Sequence, residues 1–303
     1  MPKILVIGSS NTDMVVRADR LPRPGETVLG GTFFMNPGGK GANQAVAAAR
    51  LGGQVAFVCK TGDDLFGSEA RRLFREEGID TSHLLTDPSA PSGVALITVD
   101  RQAENCIVVA PGANANLTPD DLRRAASAFE QADIVLLQLE IPMETVEQAA
   151  LTACATGKRV VLNPAPAAAI PARLLAALDL ITPNETEAEA ITGIRIADRR
   201  TADEAARRLA ATGAKQVVIT LGAQGALVYE AGQSRIVEGY PVRAVDTTAA
   251  GDVFNGALVV ALAEGKPLEE AARFACKAAA ISVTHPGAQG SIPTRAEVEA
   301  FDR

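Results

Sequence analysis

Two acids, Asp246 and Asp252, bracket the small-residue run Thr-Thr-Ala-Ala-Gly in DTTAAGDVFNGA (246–257), and an apolar helical pattern follows directly. A single acid in the first turn of a helix can serve as a cap, because free backbone N–H groups and the helix dipole both favour negative charge there. Capping needs only one of these acids and leaves Ala249, Ala250 and Gly251 unexplained. Side chains that small stand clear of the helix-start amides and leave room for an outside anion to reach them. The stretch reads as a phosphate cradle with the Asp252 carboxylate at its lip.

A second glycine cluster, NPGGKGANQAVAAARLG (36–52), opens a helix with Lys40 and Asn43 in its first turn. It is not a P-loop: Phe34 stands where the first glycine belongs, and Gly41 replaces the magnesium-binding hydroxyl. Nor does the Gly-Ser-Ser-Asn after the first strand have dinucleotide-fingerprint spacing, which disfavours a dehydrogenase. By itself the cluster is better read as a glycine-rich helix start with a solvated lysine. Glu140 follows the apolar strand pattern DIVLLQL (133–139), at a carboxyl end where α/β sheets place ligands, and is otherwise an exposed strand-end acid. Asp13 has a similar alternative as a turn residue. Asn184 and Glu187, in PNETEAEAITG (183–193), are spaced like a capping box. Thr220-Leu221-Gly222-Ala223-Gln224-Gly225 is a strand-to-turn loop whose glycines admit close approach of a nucleotide, though a plain β-turn looks the same.

These residues need a frame. Apolar β-branched runs at 3–8, 54–60, 133–139, 158–163, 178–182 and 215–220 alternate with helical patterns at 41–52, 68–78, 118–132, 143–157 and 201–213. Strands apolar on both faces, joined by amphipathic helices, predict a doubly wound, mainly parallel α/β sheet covered on both sides. Residues 12–36 and 93–110 break the rhythm as short strands without a crossover helix, and predict antiparallel hairpins forming a small second sheet. A lid over the strand ends and a peripheral decoration explain that sheet equally well. With no repeat and no linker, residues 1–303 are expected to be a single domain carrying this lid.

A net charge of -7 and a pI near 5.1 argue against a nucleic-acid partner. The short apolar run at the N-terminus is too brief for a signal peptide or membrane span, so a soluble cytoplasmic protein is expected. His83 and His285 are the only histidines, which argues against His-rich metal chemistry. Cys59, Cys106, Cys154 and Cys276 lie far apart, so no zinc site or disulfide framework is signalled, and all are expected to be buried and reduced.

Together, GGKGANQA and DTTAAGDVFNGA resemble the two signature motifs of the ribokinase-like carbohydrate kinases of the phosphofructokinase-B type. The resemblance spans the chain, from Asn11-x-Asp13 through Asn184-x-x-Glu187 to GAQGS (287–291). It implies ATP-dependent phosphorylation of D-ribose at its 5-hydroxyl, with Asp252 as general base and the Ala249, Ala250 and Gly251 amides as anion hole. A kinase for fructose, deoxyribose or a nucleoside is the alternative, and a sugar-binding regulator the non-enzymatic one. By the same resemblance the sugar is held around Asn11, Thr12, Asp13, Gly39, Lys40, Gly41, Ala42, Asn43 and Glu140. The nucleotide is taken by Asn184, Thr220 to Gly225, Gly251 and Cys276, the last standing where relatives often carry Asn. Asn184 and Glu187 hold Mg2+ through water. Asp246, Thr248, Ser282, His285, Gly287 and Ser291 surround an activating K+, mostly through main-chain oxygens. A homodimer through the lid is implied as well, with Val15, Leu29, Phe33 and Ile107 as candidate packing residues.

Overall fold

The computed structural model describes residues 1–102 and 104–301, so Ala103 of the 93–110 segment, Asp302 and Arg303 lie outside it. Among the described residues the main sheet has nine strands. They are β1 (Lys3–Ile7), β4 (Gln54–Gly62), β5 (Leu84–Asp87), β8 (Ile134–Leu137), β9 (Arg159–Leu162), β10 (Leu180–Ile181), β11 (Gln216–Thr220), β12 (Gly225–Glu230) and β13 (Gln233–Glu238). Their spatial order is β13-β12-β11-β10-β9-β8-β1-β4-β5. A smaller four-stranded sheet has β2 (Asn11–Arg17), β3 (Thr32–Gly38), β6 (Gly93–Val99) and β7 (Asn105–Ala110), in the order β3-β2-β6-β7.

Strand alternation assigns the two cores. Ile4 and Val6 of β1 and Ile134 and Leu136 of β8 face one side, and Leu5, Ile7, Val135 and Leu137 face the other. Buried residues of α1 (Lys40–Arg50), α2 (Leu65–Glu76), α9 (Ala250–Ala263), α10 (Leu268–Ser282) and α11 (Arg295–Ala300) cover the first side. Those of α3 (Pro119–Arg124), α4 (Ala126–Gln131), α5 (Met143–Ala155), α6 (Ala172–Ala176), α7 (Glu185–Thr192) and α8 (Arg199–Ala211) cover the second. This is the doubly wound, mainly parallel sheet expected of strands apolar on both faces. Among the described residues, no helix is long and apolar enough to cross a membrane.

The structure departs from the sequence reading in particular places. The edge beyond β11 is antiparallel: β12 and β13 form a hairpin turned by Ala231 (φ 49) and Gly232 (φ 80), the positive-φ pair that suits a two-residue turn. The helical run 118–132 divides at Ala125 (φ -100, ψ 18), and both Leu122 and Phe129 are buried on the same side. Helix α2 starts earlier than expected because Asp64 caps it, accepting from the Gly67 amide at 2.8 Å. In the small sheet the pairs β2–β3 and β6–β7 are antiparallel as expected, but they join through a parallel β2–β6 pairing. Finally, Cys59 and Cys276 are buried whereas Cys106 and Cys154 are exposed: β7 is an outer strand of the small sheet, and Cys154 is on the outward side of α5.

Candidate functional site

The turn leaving β1, Gly8-Ser9-Ser10, runs straight into β2, and the start of α1 lies against it. Close contact is possible only because the facing residues lack side chains. A Cβ on Gly39 (φ 90) would stand 2.8 Å from the Asn11 nitrogen, and one on Gly41 would stand 2.6 Å from the Ser9 nitrogen. The Ala42 amide donates to the Ser9 carbonyl at 2.9 Å and locks α1 in place. The Gly-Gly-Lys-Gly run is therefore a packing device as well as a helix start.

That contact gathers polar side chains from distant parts of the chain. Glu140 lies past the end of β8, which stops at Leu137 rather than at residue 139, and its Oε2 accepts from Ser9 Oγ at 2.5 Å and from the Lys40 amide at 3.0 Å. Asn11 Oδ1 accepts from Asn114 Nδ2 at 2.8 Å. Asp13 lies over Gly38, where an added Cβ would come within 2.4 Å of its carboxylate. Thr12, on the same strand, points to the opposite face of β2 from Asn11 and Asp13. It thus stands apart from the other polar side chains expected around the sugar.

Asp252 is buried in the first turn of α9. Its Oδ2 accepts from Asn43 Nδ2 at 3.0 Å, and its Oδ1 from Gln44 Nε2 at 2.9 Å. Burial pushes its carboxyl above the usual range against the pull of Lys40, Asn43 and Gln44, with Glu140 adding to the rise. Asp13 is pushed up to about 6 by burial and by the neighbouring carboxylates of Glu140 and Asp252. For Lys40, burial acts downward, but Asp252, Glu140 and Glu187 outweigh it and hold the ammonium above its ordinary value. Four carboxylates and one lysine thus share one field.

The helix start itself is open. Ala249 caps α9 in the left-handed conformation (φ 60), a strained geometry for a residue with a Cβ. Gly251 is exposed, and a Cβ placed there meets nothing within 4 Å. Among the described residues, the amides of Ala249, Gly251 and Asp252 donate to no acceptor in the chain. The Ala250 amide departs from expectation: it is turned back onto the Thr247 carbonyl at 3.3 Å, a consequence of the tight turn into the helix. Two small-residue amides and that of Asp252 itself are therefore left without an acceptor among the described residues.

Asn184 and Glu187 form the capping box that their spacing announces, with reciprocal bonds of 2.8 and 2.9 Å. Glu187 is buried, and burial raises its carboxyl although the Asn184 amide and Lys40 oppose the rise. The capping bond uses one Glu187 oxygen, so the other remains available to a hard cation or its water. Asn184 bridges to Thr220, which ties the N-x-x-E turn to the loop after β11. In that loop Gly222, Ala223 and Gln224 are exposed while Leu221 and Gly225 are buried. Cys276, buried on α10, has its thiol pushed up to about 12, chiefly by burial. It is unsuited to act as a thiolate.

Asp246 joins two loops. Its Oδ1 accepts from the Thr248 amide at 2.9 Å and from Thr248 Oγ1 at 2.6 Å, and its Oδ2 accepts from the Gly287 amide at 2.8 Å. Burial pushes its carboxyl up, but these bonds prevail and hold it below the usual range. Ser282 and Ser291 are buried nearby in sequence, with their hydroxyls donated to the Ala279 and Ala288 carbonyls, while His285 Nδ1 is 3.0 Å from Thr284 Oγ1. Among the described residues, no three His, Cys, Asp or Glu side chains form a metal cluster.

For the small sheet, register decides which side chains lie where. Val15, Phe34, Ile97 and Ile107 form one cross-strand row, and by alternation they lie on the Asp13 side. Val15 is buried within the chain and so is not free to pack against a partner, whereas Ile107, on the same side of the sheet at its outer strand, is exposed. Of the exposed apolar residues, Val109 lies with Ile107 on the Asp13 side, Val16, Phe33, Met35, Leu96 and Val108 occupy the opposite face, and Leu29 is exposed in the loop before β3.

Several polar residues at the site escaped the sequence reading. Gln44, Gln138, Asn163 and Asn255 are all buried beneath Asp252, and Gln289 donates to Asn43 Oδ1 at 3.2 Å. A signal was present in part: Gln138 interrupts the apolar DIVLLQL run, and Gln44 stands on the buried side of an alanine-rich helix.

The profile described as pfkB family carbohydrate kinase matches residues 1–295. A ribokinase of Haemophilus influenzae is 49% identical over 98% of this chain and 97% of its own length. A deoxyribokinase of Salmonella typhi is 38% identical over 99% of this chain and 97% of its own length. Among solved structures, Arabidopsis thaliana ribokinase complexed with ribose and ATP superposes with a TM-score of 0.91 at 33% identity, covering 99% of both chains.

Proposed function

The chain belongs to the pfkB family of carbohydrate kinases, and from that premise we propose that it transfers the γ-phosphoryl group of ATP to the 5-hydroxyl of D-ribose. One juxtaposition supports this above the rest: the buried Asp252 carboxylate lies at the start of a helix whose Gly251 faces open space. Base and anion hole are then parts of one rigid element. As the sugar oxygen attacks phosphorus, Asp252 takes its proton, the bond from phosphorus to the bridging oxygen breaks, and ADP leaves. Phosphoryl transfer asks for alignment and charge stabilisation more than covalent help. The Ala249 and Gly251 amides and Lys40 meet the second need. Asn11, Asp13, Lys40, Asn43 and Glu140 meet the first by pairing with vicinal hydroxyls.

Asn184 and Glu187 are the residues that would hold Mg2+ through water, and the ion would neutralise charge on the nucleotide phosphates. Asp246, Thr248, Ser282, His285, Gly287 and Ser291 would hold K+, and activity is expected to be higher in potassium buffer than in choline buffer. The 1–303 chain works as one domain in this reading. Its small sheet is the lid, and two lids join a homodimer through Val16, Phe33, Met35, Leu96 and Val108, which are apolar and exposed. An ATP-consuming sugar kinase works where ATP is, in the cytoplasm.

The Salmonella relative makes deoxyribose the second reading. An assay of ADP release with ribose, 2-deoxyribose and fructose tests both. Turnover is expected to be highest with ribose and lost in Asp252→Asn with sugar binding retained. Full activity of Asp252→Asn would overturn the proposed base.

A further inference from the structure

The role assigned to Gln44 rests on Asp252 being the base of the proposed transfer. The Asp252 carboxylate sits on a buried amide network that phosphoryl transfer itself leaves unused. Gln44 Nε2 donates to Asp252 Oδ1 at 2.9 Å and to Asn163 Oδ1 at 3.0 Å, while Gln44 Oε1 accepts from Gln138 Nε2 at 2.6 Å. Both hydrogens of the amide and its oxygen are engaged. Turning it over would set Gln44 Oε1 against the oxygens of Asp252 and Asn163, and its NH2 against the NH2 of Gln138. Such a turn leaves buried donors and acceptors unpaired, which is the expensive outcome.

The network continues to the cradle. Asn163 Nδ2 donates to the Thr182 carbonyl at 3.1 Å, Thr182 Oγ1 to Asn255 Oδ1 at 2.6 Å, and Asn255 Nδ2 to the Gly251 carbonyl at 2.8 Å. It therefore starts at the carboxylate and returns to the anion hole, passing the carboxyl ends of β8, β9 and β10. Gln138 is held by its donor end alone: its Oε1 is the buried side-chain atom without a partner among the described residues. A Cβ on Gly8 would stand 2.0 Å from that oxygen, so the glycine after β1 makes room for Gln138. A side chain present only for packing would be apolar here.

We propose that Gln44 is a positioning residue for phosphoryl transfer: clamped by Gln138 and Asn163, its amide presents only N–H to Asp252 and keeps that carboxylate a proton acceptor. The charged groups facing Asp252 are Lys40 from α1, Glu140 after β8, Asp13 from β2 and Glu187 from α7. Lys40 favours ionisation of Asp252, and the three carboxylates and burial oppose it. Gln44 and Asn43 supply the remaining support, so losing Gln44 tips the balance toward the protonated acid.

The test is the pH dependence of kcat, at saturating sugar and ATP, in Gln44→Met and Gln138→Met. Methionine keeps the length of the side chain and removes its hydrogen bonds. In Gln44→Met the acid limb is expected to move up by about one pH unit, the scale of one hydrogen bond to a charged group, with kcat recovering on the alkaline side. Gln138→Met, which only unlocks Gln44, is expected to give a smaller shift of the same sign. Comparison with the parent cancels the contribution of Asp13, which neither substitution touches. An acid limb that coincides with the parent's, or a loss of kcat uniform across pH, overturns the inference. If Gln44→Met does not fold, Gln138→Met is judged by the same criteria. Persisting activity of Asp252→Asn sinks the base itself, whereas an inactive Asp252→Asn beside an unshifted Gln44→Met limb sinks the role of Gln44 alone.

Discussion

Replacing Gly251 by alanine separates folding from chemistry at the helix start. The backbone there is helical and the added methyl meets nothing within 4 Å, so the folded chain accepts it without strain. Alanine exceeds glycine in helix propensity by about 1 kcal/mol in a helix interior and by less in the first turn. At about 2 °C per kcal/mol for a chain of this size, the melting temperature should stay level or rise by up to about 2 °C. The Cα–Cβ bond of a helical residue leans toward the N-terminus, so the methyl enters the space proposed for the transferring phosphate. A displacement of about 1 Å at a reacting centre costs on the order of a hundredfold, and loss of one oxyanion-type donor about as much. The expected result is a kcat lower by about a hundredfold in an ADP-release assay, with an unchanged or higher melting temperature by scanning fluorimetry. Gly41→Ala supplies the contrast, because its Cβ would lie 2.6 Å from the Ser9 nitrogen and 2.7 Å from the Gly8 carbonyl carbon. Overpacking against backbone costs about 1–3 kcal/mol, so that variant should lose stability as well as activity. A Gly251→Ala enzyme within threefold of the parent kcat would refute the anion cradle.

Three further outcomes are expected. Asp13, with an ordinary value of 3.8 raised to about 6 in the fold, stays protonated in the native state where the unfolded chain is already ionised. Its contribution to stability is therefore lost as pH rises from 3.8 through about 6, and Asp13→Asn should stabilise the protein by about 1–3 kcal/mol at pH 8 but little at pH 4 while raising the sugar KM. Urea unfolding at the two pH values decides it, and an equal effect at both would be the failure. Iodoacetamide should label the exposed Cys106 and Cys154 within minutes and leave Cys59 and Cys276, both buried and pushed up to about 12, untouched until denaturant is added. Intact-mass analysis reads the count. If two lids pair as proposed, Phe33→Lys, on the exposed apolar face of the small sheet, should halve the mass measured by light scattering and Val15→Ala, inside the chain, should leave it unchanged, whereas a parent protein of monomer mass would refute the pairing.

Local pattern sufficed for a good part of this protein. Runs apolar on both faces specified a buried parallel sheet, since no other placement satisfies both sides of such a strand. Small residues before Asp252 announced an approachable helix start, and Asn184 with Glu187 announced a cap, because both depend on chain neighbours. The β12–β13 hairpin was missed because ALVYE (226–230) also suits a strand leaving a nucleotide loop. Its turn became evident only with the positive φ of Ala231 and Gly232.

Tertiary structure alone decided the rest. Gln44, Gln138 and Asn163 converge on Asp252 although residues 44 and 252 are 208 positions apart. No periodicity within a window reports such a meeting, since it depends on how α1, α9 and the strand ends pack against one another. The outer face of the small sheet was likewise out of reach. A shift of one residue in register exchanges the faces, and the parallel β2–β6 pairing that sets this register joins segments separated by three strands and two helices. Composition and spacing determine which groups a chain can bring to a site. Which oxygen faces which amide, and therefore which carboxylate can take a proton, is settled by the close packing of elements distant along the chain.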